Sequence, residues 1–167
     1  YVYILFNFGL LGDAMINVYY TIMSIYGWIL WSASSEDNIH VEVSWANFKQ
    51  WIFATVLFVF SLGLVTLVYY YKPAIDNQFS TKNVNLGLHH LDWANWLDVF
   101  TTSIFLVGMW FMAKRKIENW IFWIIGDFIC IPMMLYKGLG ITSVLYLVFT
   151  VMAYLGYLEW KKSIKKM

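Results

Sequence analysis

Charged residues and cysteine are scarce in this 167-residue chain, and each shortage excludes a class of protein. Only 13% of the residues are charged, whereas 61% are hydrophobic and 21% are aromatic. A soluble domain has about a quarter charged residues and could not bury this much apolar surface in one small core. The one cysteine, Cys130, excludes an internal disulfide and a cysteine-based zinc site. A net charge of +1 without a basic stripe does not favour nucleic-acid binding, so the composition predicts an integral membrane protein in contact with the lipid bilayer.

Long apolar runs separated by polar connectors predict an all-α integral membrane fold. The bilayer core offers no hydrogen-bond partners, so each span must satisfy its own backbone as a helix of about 20 residues. The apolar opening "YVYILFNF" is too short to span, and five complete spans follow it. They are predicted at 13–31, 48–71, 95–113, 118–137 and 139–160.

Lysine and arginine are distributed unevenly between the two ends of these spans. Eight lie on one side and three on the other. The richer side holds Lys49, Lys114, Arg115, Lys116, Lys161, Lys162, Lys165 and Lys166, and the poorer side holds Lys72, Lys82 and Lys137. The positive-inside rule therefore predicts that the basic tail 161–167 and the C-terminus are cytoplasmic.

Two of the predicted spans align without a gap, which indicates an internal repeat. "GLLGDAMINVYYTIMSIYGWILW" (9–31) and "GLGITSVLYLVFTVMAYLGYLEW" (138–160) share six identical positions. The shared residues are Gly9/Gly138, Leu10/Leu139, Thr21/Thr150, Met23/Met152, Gly27/Gly156 and Trp31/Trp160, and Tyr20/Phe149 is a close match. An even number of crossings separates the copies, so they run in the same direction. Such parallel repeats are a device of transporters that bind substrate between the two halves.

The repeat predicts a 3+1+3 seven-helix fold. Residues 1–31 would be the remainder of the first three-helix repeat, 48–71 the linker helix and 95–160 the second three-helix repeat. On this prediction the first helix and part of the second are missing from the chain.

A single carboxylate, Asp127, lies in the middle of the predicted span 118–137. An ionised acid at the bilayer centre costs about 2.5–3.5 kcal/mol, so its presence there indicates a function. Trp120, Trp123 and Asp127 are spaced by three, four and seven residues, which places them on one helical face. Two aromatic rings beside a carboxylate form a clamp for a flat cation. The alternative is a protonated structural aspartate with two packing tryptophans.

The repeat also predicts a second polar face. Asn17 and Tyr146 occupy equivalent positions in the two copies of the repeat, and their side chains end in hydrogen-bonding groups, so they are candidates for binding the ligand. Asp13 and Asp98, near the outer ends of their spans, are helix caps or vestibule charges. Small residues such as Gly27 instead favour close helix packing. The candidate substrate-binding residues are Trp120, Trp123, Asp127, Asn17, Tyr146, Thr150, Asp98 and Trp28.

Other chemistries find little support in the sequence. His89 and His90 are adjacent in a loop near Asp92, where histidines usually face solvent, so we expect no metal site. No span contains a histidine for haem or a central lysine for retinal, and no catalytic triad shares a membrane depth. We therefore expect no enzyme activity and no cofactor. One central carboxylate without titratable partners also does not favour proton coupling.

Three motifs of the chain resemble the PnuC family of bacterial vitamin transporters. They are "SIYGWILW" (24–31), "KIENWIFW" (116–123) and "YKGLGITSVLYLVFT" (136–150), and the resemblance covers nearly the whole chain except the loop 72–92. It implies a seven-helix protein of the bacterial inner membrane that forms a homotrimer. It also implies facilitated diffusion of nicotinamide riboside, thiamine or riboflavin, followed by trapping through cytoplasmic phosphorylation.

Two positions differ from the nicotinamide riboside members of that family. Those members have an asparagine four residues after the tryptophan that matches Trp123, and this chain has Asp127 at that position. They also have a glutamine at the position of Asn17. The Asn17 and Asp127 pair resembles the thiamine branch, so thiamine ranks slightly ahead of nicotinamide riboside. A neutral-sugar facilitator of similar 3+1+3 build and a membrane receptor that moves nothing are the other hypotheses.

Overall fold

Five α-helices make up the computed structural model, which describes residues 11–36, 43–77, 86–89 and 91–165. We number them α1 (Leu11–Glu36), α2 (Phe48–Asp76), α3 (Trp93–Ala113), α4 (Glu118–Tyr136) and α5 (Gly140–Lys165). No β-strand occurs in these four ranges, where the Ser44–Lys116 contact is an isolated bridge. The prediction of an all-α protein is therefore confirmed.

Helices α2 to α5 are each long and apolar enough to cross a membrane. They confirm the predicted spans 48–71, 95–113, 118–137 and 139–160. The predicted span 13–31 also forms a helix, α1, but α1 is not among these four. The structure therefore supports four of the five predicted spans as apolar enough to cross a membrane, and the polar and aromatic residues of α1 lower its mean hydropathy below theirs.

Helix α3 lies at the centre of the described bundle. It packs against α1, α2 and α4, and α4 in turn packs along α5. Half of the apolar stretch of α3 is buried, compared with 11% for α2 and for α5. The exposed apolar sides of α2 and α5 match a protein surrounded by lipid.

One end of the bundle is fastened by a contact that we call the clasp, between residues 43–47 and 114–118. The Ser44 N–H donates to the Arg115 carbonyl (3.3 Å), and the Ile117 N–H donates to the Ser44 carbonyl (3.2 Å). The Ala46 N–H donates to Oε1 of the buried Glu118 (2.7 Å). The clasp therefore places the start of α2 beside the turn between α3 and α4.

The ends of α1 and α5 lie at the same end of the bundle as the clasp. The Lys114 Nζ is 5.1 Å from the centre of the Tyr26 ring on α1. Trp160 on α5 meets Trp120 edge to face, with the ring centres 5.4 Å apart. The two helices of the sequence repeat therefore run in the same direction, as predicted, and the basic segments of α2, α3 and α5 share one end.

Replacing Glu118 with alanine should destabilise the protein, because it removes the acceptor of the Ala46 N–H. A donor left unpaired in a buried place costs about 1–3 kcal/mol of unfolding free energy. Glu118→Gln keeps an acceptor oxygen and should retain most of the stability. Thermal unfolding in detergent measures both.

The matched control for this substitution is Glu159→Ala. Glu159 is 71% exposed and forms an ion pair with Lys162 at 3.2 Å, and such surface pairs contribute about 0–1 kcal/mol. A melting temperature for Glu118→Ala equal to that of Glu159→Ala would contradict a structural role for the clasp.

Candidate functional site

A cavity of about 410 Å³ lies between α1, α3, α4 and α5. Its volume is within the range of small-molecule binding sites. Aromatic rings form most of its wall, together with two methionines, one alanine and a single carboxylate. The lining residues are Tyr20, Phe105, Met112, Trp120, Trp123, Asp127, Tyr146, Phe149, Met152 and Ala153.

Asp127 contributes the one charged group of this wall. It is the tenth of the 19 residues of α4, so it lies at mid-span, and only 3% of its surface is exposed. No side chain in the described ranges donates a hydrogen bond to it or forms an ion pair with it. A buried carboxylate is costly without a partner, and a cation in the cavity would supply one.

Trp123 is part of an aromatic stack on the cavity wall. Its ring lies 5.2 Å from that of Phe105 with an interplanar angle of 25°. Helix α4 supplies Trp123 and helix α3 supplies Phe105, so the stack joins two helices. Flat aromatic surfaces of this kind bind planar ligands by stacking and cations by their quadrupole.

Trp120 lies one turn before Trp123 on the same face of α4. Its ring is held by the edge-to-face contact with Trp160. The indole N–H groups of Trp120 and Trp123 are buried and have no hydrogen-bond partner among the described residues. Buried donors in folded proteins are nearly always paired, so these two unpaired N–H groups are exceptions on the helix face that lines the cavity.

Tyr146 brings the last helix, α5, to the cavity. Its ring meets Phe149 edge to face with the centres 6.2 Å apart. Tyr20 of α1, which the repeat aligns with Phe149, also lines the cavity. The two repeat helices therefore present equivalent aromatic positions to one cavity.

Four of the eight predicted site residues come together here: Trp120, Trp123, Asp127 and Tyr146. Thr150 does not line the cavity and donates instead to the Tyr146 carbonyl (2.9 Å). Asp98 accepts a hydrogen bond from the Tyr69 hydroxyl on α2. Trp28 is 71% exposed on α1.

The other residues singled out in the sequence either lie outside the described part of the chain or have a different role in the structure. The side chains of Asn17 and Asp13 lie outside the described residues, and so does His90. Asp92 caps α3 by accepting from the Asn95 N–H (2.8 Å). The described ranges contain no group of three or more metal-ligating side chains.

The sequence prediction missed Tyr20 on α1 and Ala153 on α5, and two pairs of lining residues, Phe105 and Met112 on α3 and Phe149 and Met152 on α5. A signal for the α5 pair was present, because Tyr20/Phe149 and Met23/Met152 are matched in the repeat. The sequence carried no comparable signal for the α3 pair, because α3 has buried residues all around its axis.

An all-α bundle with four helices apolar enough to cross a membrane and an aromatic cavity with one carboxylate is typical of a multi-pass membrane protein that binds a small molecule. Residues 1–162 match the model of the nicotinamide mononucleotide transporter family. The chain belongs to this family, and the resemblance to bacterial vitamin transporters is confirmed.

Named relatives show the same likeness. The chain is 23% identical over 171 aligned residues to "Nicotinamide riboside transporter PnuC" of Escherichia coli (strain K12), covering 98% of this chain and 72% of that protein. The same values apply to the protein of that name from Shigella flexneri. It is 20% identical over 139 residues to "Riboflavin/roseoflavin transporter RibM" of Streptomyces davaonensis, covering 83% of this chain and 58% of that protein. No solved structure matches the chain significantly.

Proposed function

We propose that this protein moves a cationic aromatic vitamin across the bacterial inner membrane by facilitated diffusion. The observation that carries the proposal is the buried Asp127 carboxylate in an aromatic cavity at mid-span. Trp120 and Trp123 would stack on the vitamin ring and Asp127 would balance its charge. Tyr146 and Asn17 would bond its polar groups.

Two vitamins satisfy this chemistry, since thiamine and nicotinamide riboside each carry a flat, positively charged aromatic ring. The pair of Asn17 and Asp127 favours thiamine, and the names of the Escherichia coli and Shigella flexneri relatives favour nicotinamide riboside. The name of the RibM relative adds riboflavin, which is neutral, as a third substrate to compare with the two cationic vitamins.

The proposed architecture follows from the repeat. Helix α1 would belong to the first three-helix unit (1–31), α2 would be the linker (48–71), and α3 to α5 would form the second unit (95–160). Rocking of the two units would open the cavity to each side in turn. The exposed apolar side of α2 would contact lipid and the other subunits of a homotrimer, and the basic tail 161–167 would lie in the cytoplasm.

The test is uptake by the purified protein in sealed liposomes without an ion gradient. We expect labelled thiamine or nicotinamide riboside to equilibrate across the membrane, without competition from glucose. If a vitamin kinase and ATP are enclosed, the label should accumulate above the outside concentration, because phosphorylation removes the free vitamin.

Each competing hypothesis has its own outcome in this experiment. Uptake that requires an imposed proton or sodium gradient would contradict facilitated diffusion. Vitamin binding without net flux would indicate a receptor, and competition by glucose would indicate a sugar facilitator.

A further inference from the structure

Two aromatic walls of the cavity rest directly on glycines. A Cβ atom at Gly156 of α5 would lie 2.6 to 2.7 Å from the outer ring atoms of Trp120 (Cη2, Cζ2 and Cζ3). A Cβ atom at Gly126 of α4 would overlap the Phe105 ring, whose Cζ would be 2.8 Å away. Carbon atoms pack at about 3.5–4.0 Å, so either methyl group would force its ring to move by roughly 1 Å.

The other helical glycines of the described chain do not press on a cavity-lining ring. A Cβ atom at Gly108 of α3 would lie 3.2 Å from the Cβ of Phe122, which does not line the cavity, and 3.7 Å from the Trp123 ring, an ordinary contact. Gly27, which the repeat aligns with Gly156, would place its Cβ 3.7 Å from Ala113, an ordinary contact. Gly63 and Gly140 have no neighbouring atom within 4 Å of such a Cβ. The closest contacts therefore occur at the two glycines that lie beneath cavity-lining rings, and the repeat alone does not account for them.

The space around each ring limits where it could go. Trp160 lies against Trp120 at 5.4 Å, and Trp123 lies against Phe105 at 5.2 Å. Each ring has its glycine on one side, an aromatic neighbour on another and the cavity on a third, and we take the cavity as the direction in which a displaced ring moves. A methyl group at either glycine would therefore narrow the cavity.

We propose that Gly126 and Gly156 are specificity-determining positions of the carrier, which set the width of the aromatic cavity by seating Phe105 and Trp120 against the backbone. The proposal rests on the proposed function, because it places the vitamin ring in this cavity. The two glycines act through the rings and do not contact the ligand themselves. They make room for a substrate larger than one six-membered ring, and alanine at either position shifts the preference toward single-ring cations.

The experiment compares thiamine, which has two rings, with N-methylnicotinamide, a single-ring cation, as competitors for uptake in liposomes. Gly156→Ala should lower the preference for thiamine over N-methylnicotinamide by about tenfold. The shifted Trp120 ring would remove one aromatic contact to the larger substrate, and such a contact is worth about as much as a tenfold change in affinity. Gly126→Ala should act in the same direction. Gly27→Ala and Gly63→Ala are the matched controls and should leave the preference unchanged.

A second substitution separates a change of cavity width from damage to the fold. Phenylalanine at position 120 lacks the outer ring atoms that meet Gly156, so Trp120→Phe should restore the preference in the Gly156→Ala background. Alone, Trp120→Phe should shift the preference toward the larger cation. This variant tests the width of the cavity even if the glycine variants fail to fold.

The outcomes distinguish this inference from the proposed function. A wild-type protein that moves neither thiamine nor nicotinamide riboside contradicts the proposed function. A wild-type protein that moves one of them, with an unchanged preference in the glycine variants, overturns only the role of the glycines. An equal loss of affinity for both competitors also overturns it, as does a Trp120→Phe substitution that fails to restore the preference.

Discussion

Asp127→Asn should lower the affinity for thiamine or nicotinamide riboside about a hundredfold. The side chain keeps its size, so the cavity keeps its shape and only the charge is lost. Two unit charges 4 Å apart attract by about 4 kcal/mol at an effective dielectric constant of 20, and part of this is offset by desolvation of both groups. A net loss of about 2.7 kcal/mol corresponds to the expected hundredfold change.

Neutral riboflavin provides the control substrate for this substitution. If riboflavin binds, its ring would stack on the same aromatic wall but carries no positive charge, so its apparent affinity should stay within about twofold. The measurement is competition by each vitamin for uptake in liposomes. If the affinities for cationic and neutral rings fall equally, the carboxylate has a structural role.

Asp98→Asn is the matched control variant. Asp98 is also a carboxylate within a span, but it accepts a hydrogen bond from Tyr69 and does not line the cavity. The substitution should lower the free energy of unfolding by about 0.6–1.7 kcal/mol, which is the range measured for hydrogen bonds between helices in membranes. It should leave the vitamin affinity unchanged. A large loss of affinity here would return Asp98 to the binding site that the sequence predicted.

Spacing along one helix predicted the part of the site that a single helix carries. Trp120, Trp123 and Asp127 share α4, and the helical period alone is enough to place them on one face. The repeat extended this prediction to Tyr146, because an alignment relates backbone positions on different helices. All four line the same cavity.

The rest of the site depends on packing that the sequence does not encode locally. Phe105 lines the cavity because α3 is central and is buried on several sides, so its apolar pattern points in no single direction. Asp98 instead accepts a hydrogen bond from Tyr69, a residue 29 positions earlier on another helix. Trp28 shares its repeat position with Tyr157 and is nevertheless 71% exposed, because equivalent backbone positions can have different neighbours.

Trp123→Ala should lower the affinity for cationic and neutral vitamins alike, by about 5- to 150-fold, because stacking of a planar ring on an aromatic side chain is worth about 1–3 kcal/mol. Trp123→Phe should retain most of the affinity, since a ring still stacks on Phe105. Trp96→Ala is the control, because Trp96 lies on α3 with 46% of its surface exposed and is not part of the cavity wall.

The comparison of Trp123→Ala with Asp127→Asn separates the two contributions to binding. The tryptophan variant should leave the ratio of cationic to neutral affinity within a few-fold of wild type, whereas the aspartate variant should change that ratio about a hundredfold. The double variant should lose less than the sum of the two single losses, by about 0.5–3 kcal/mol, because both groups position the same ring. Strict additivity would mean that Trp123 and Asp127 contact different parts of the ligand, and it would contradict a clamp in which ring stacking and charge compensation act on one cation.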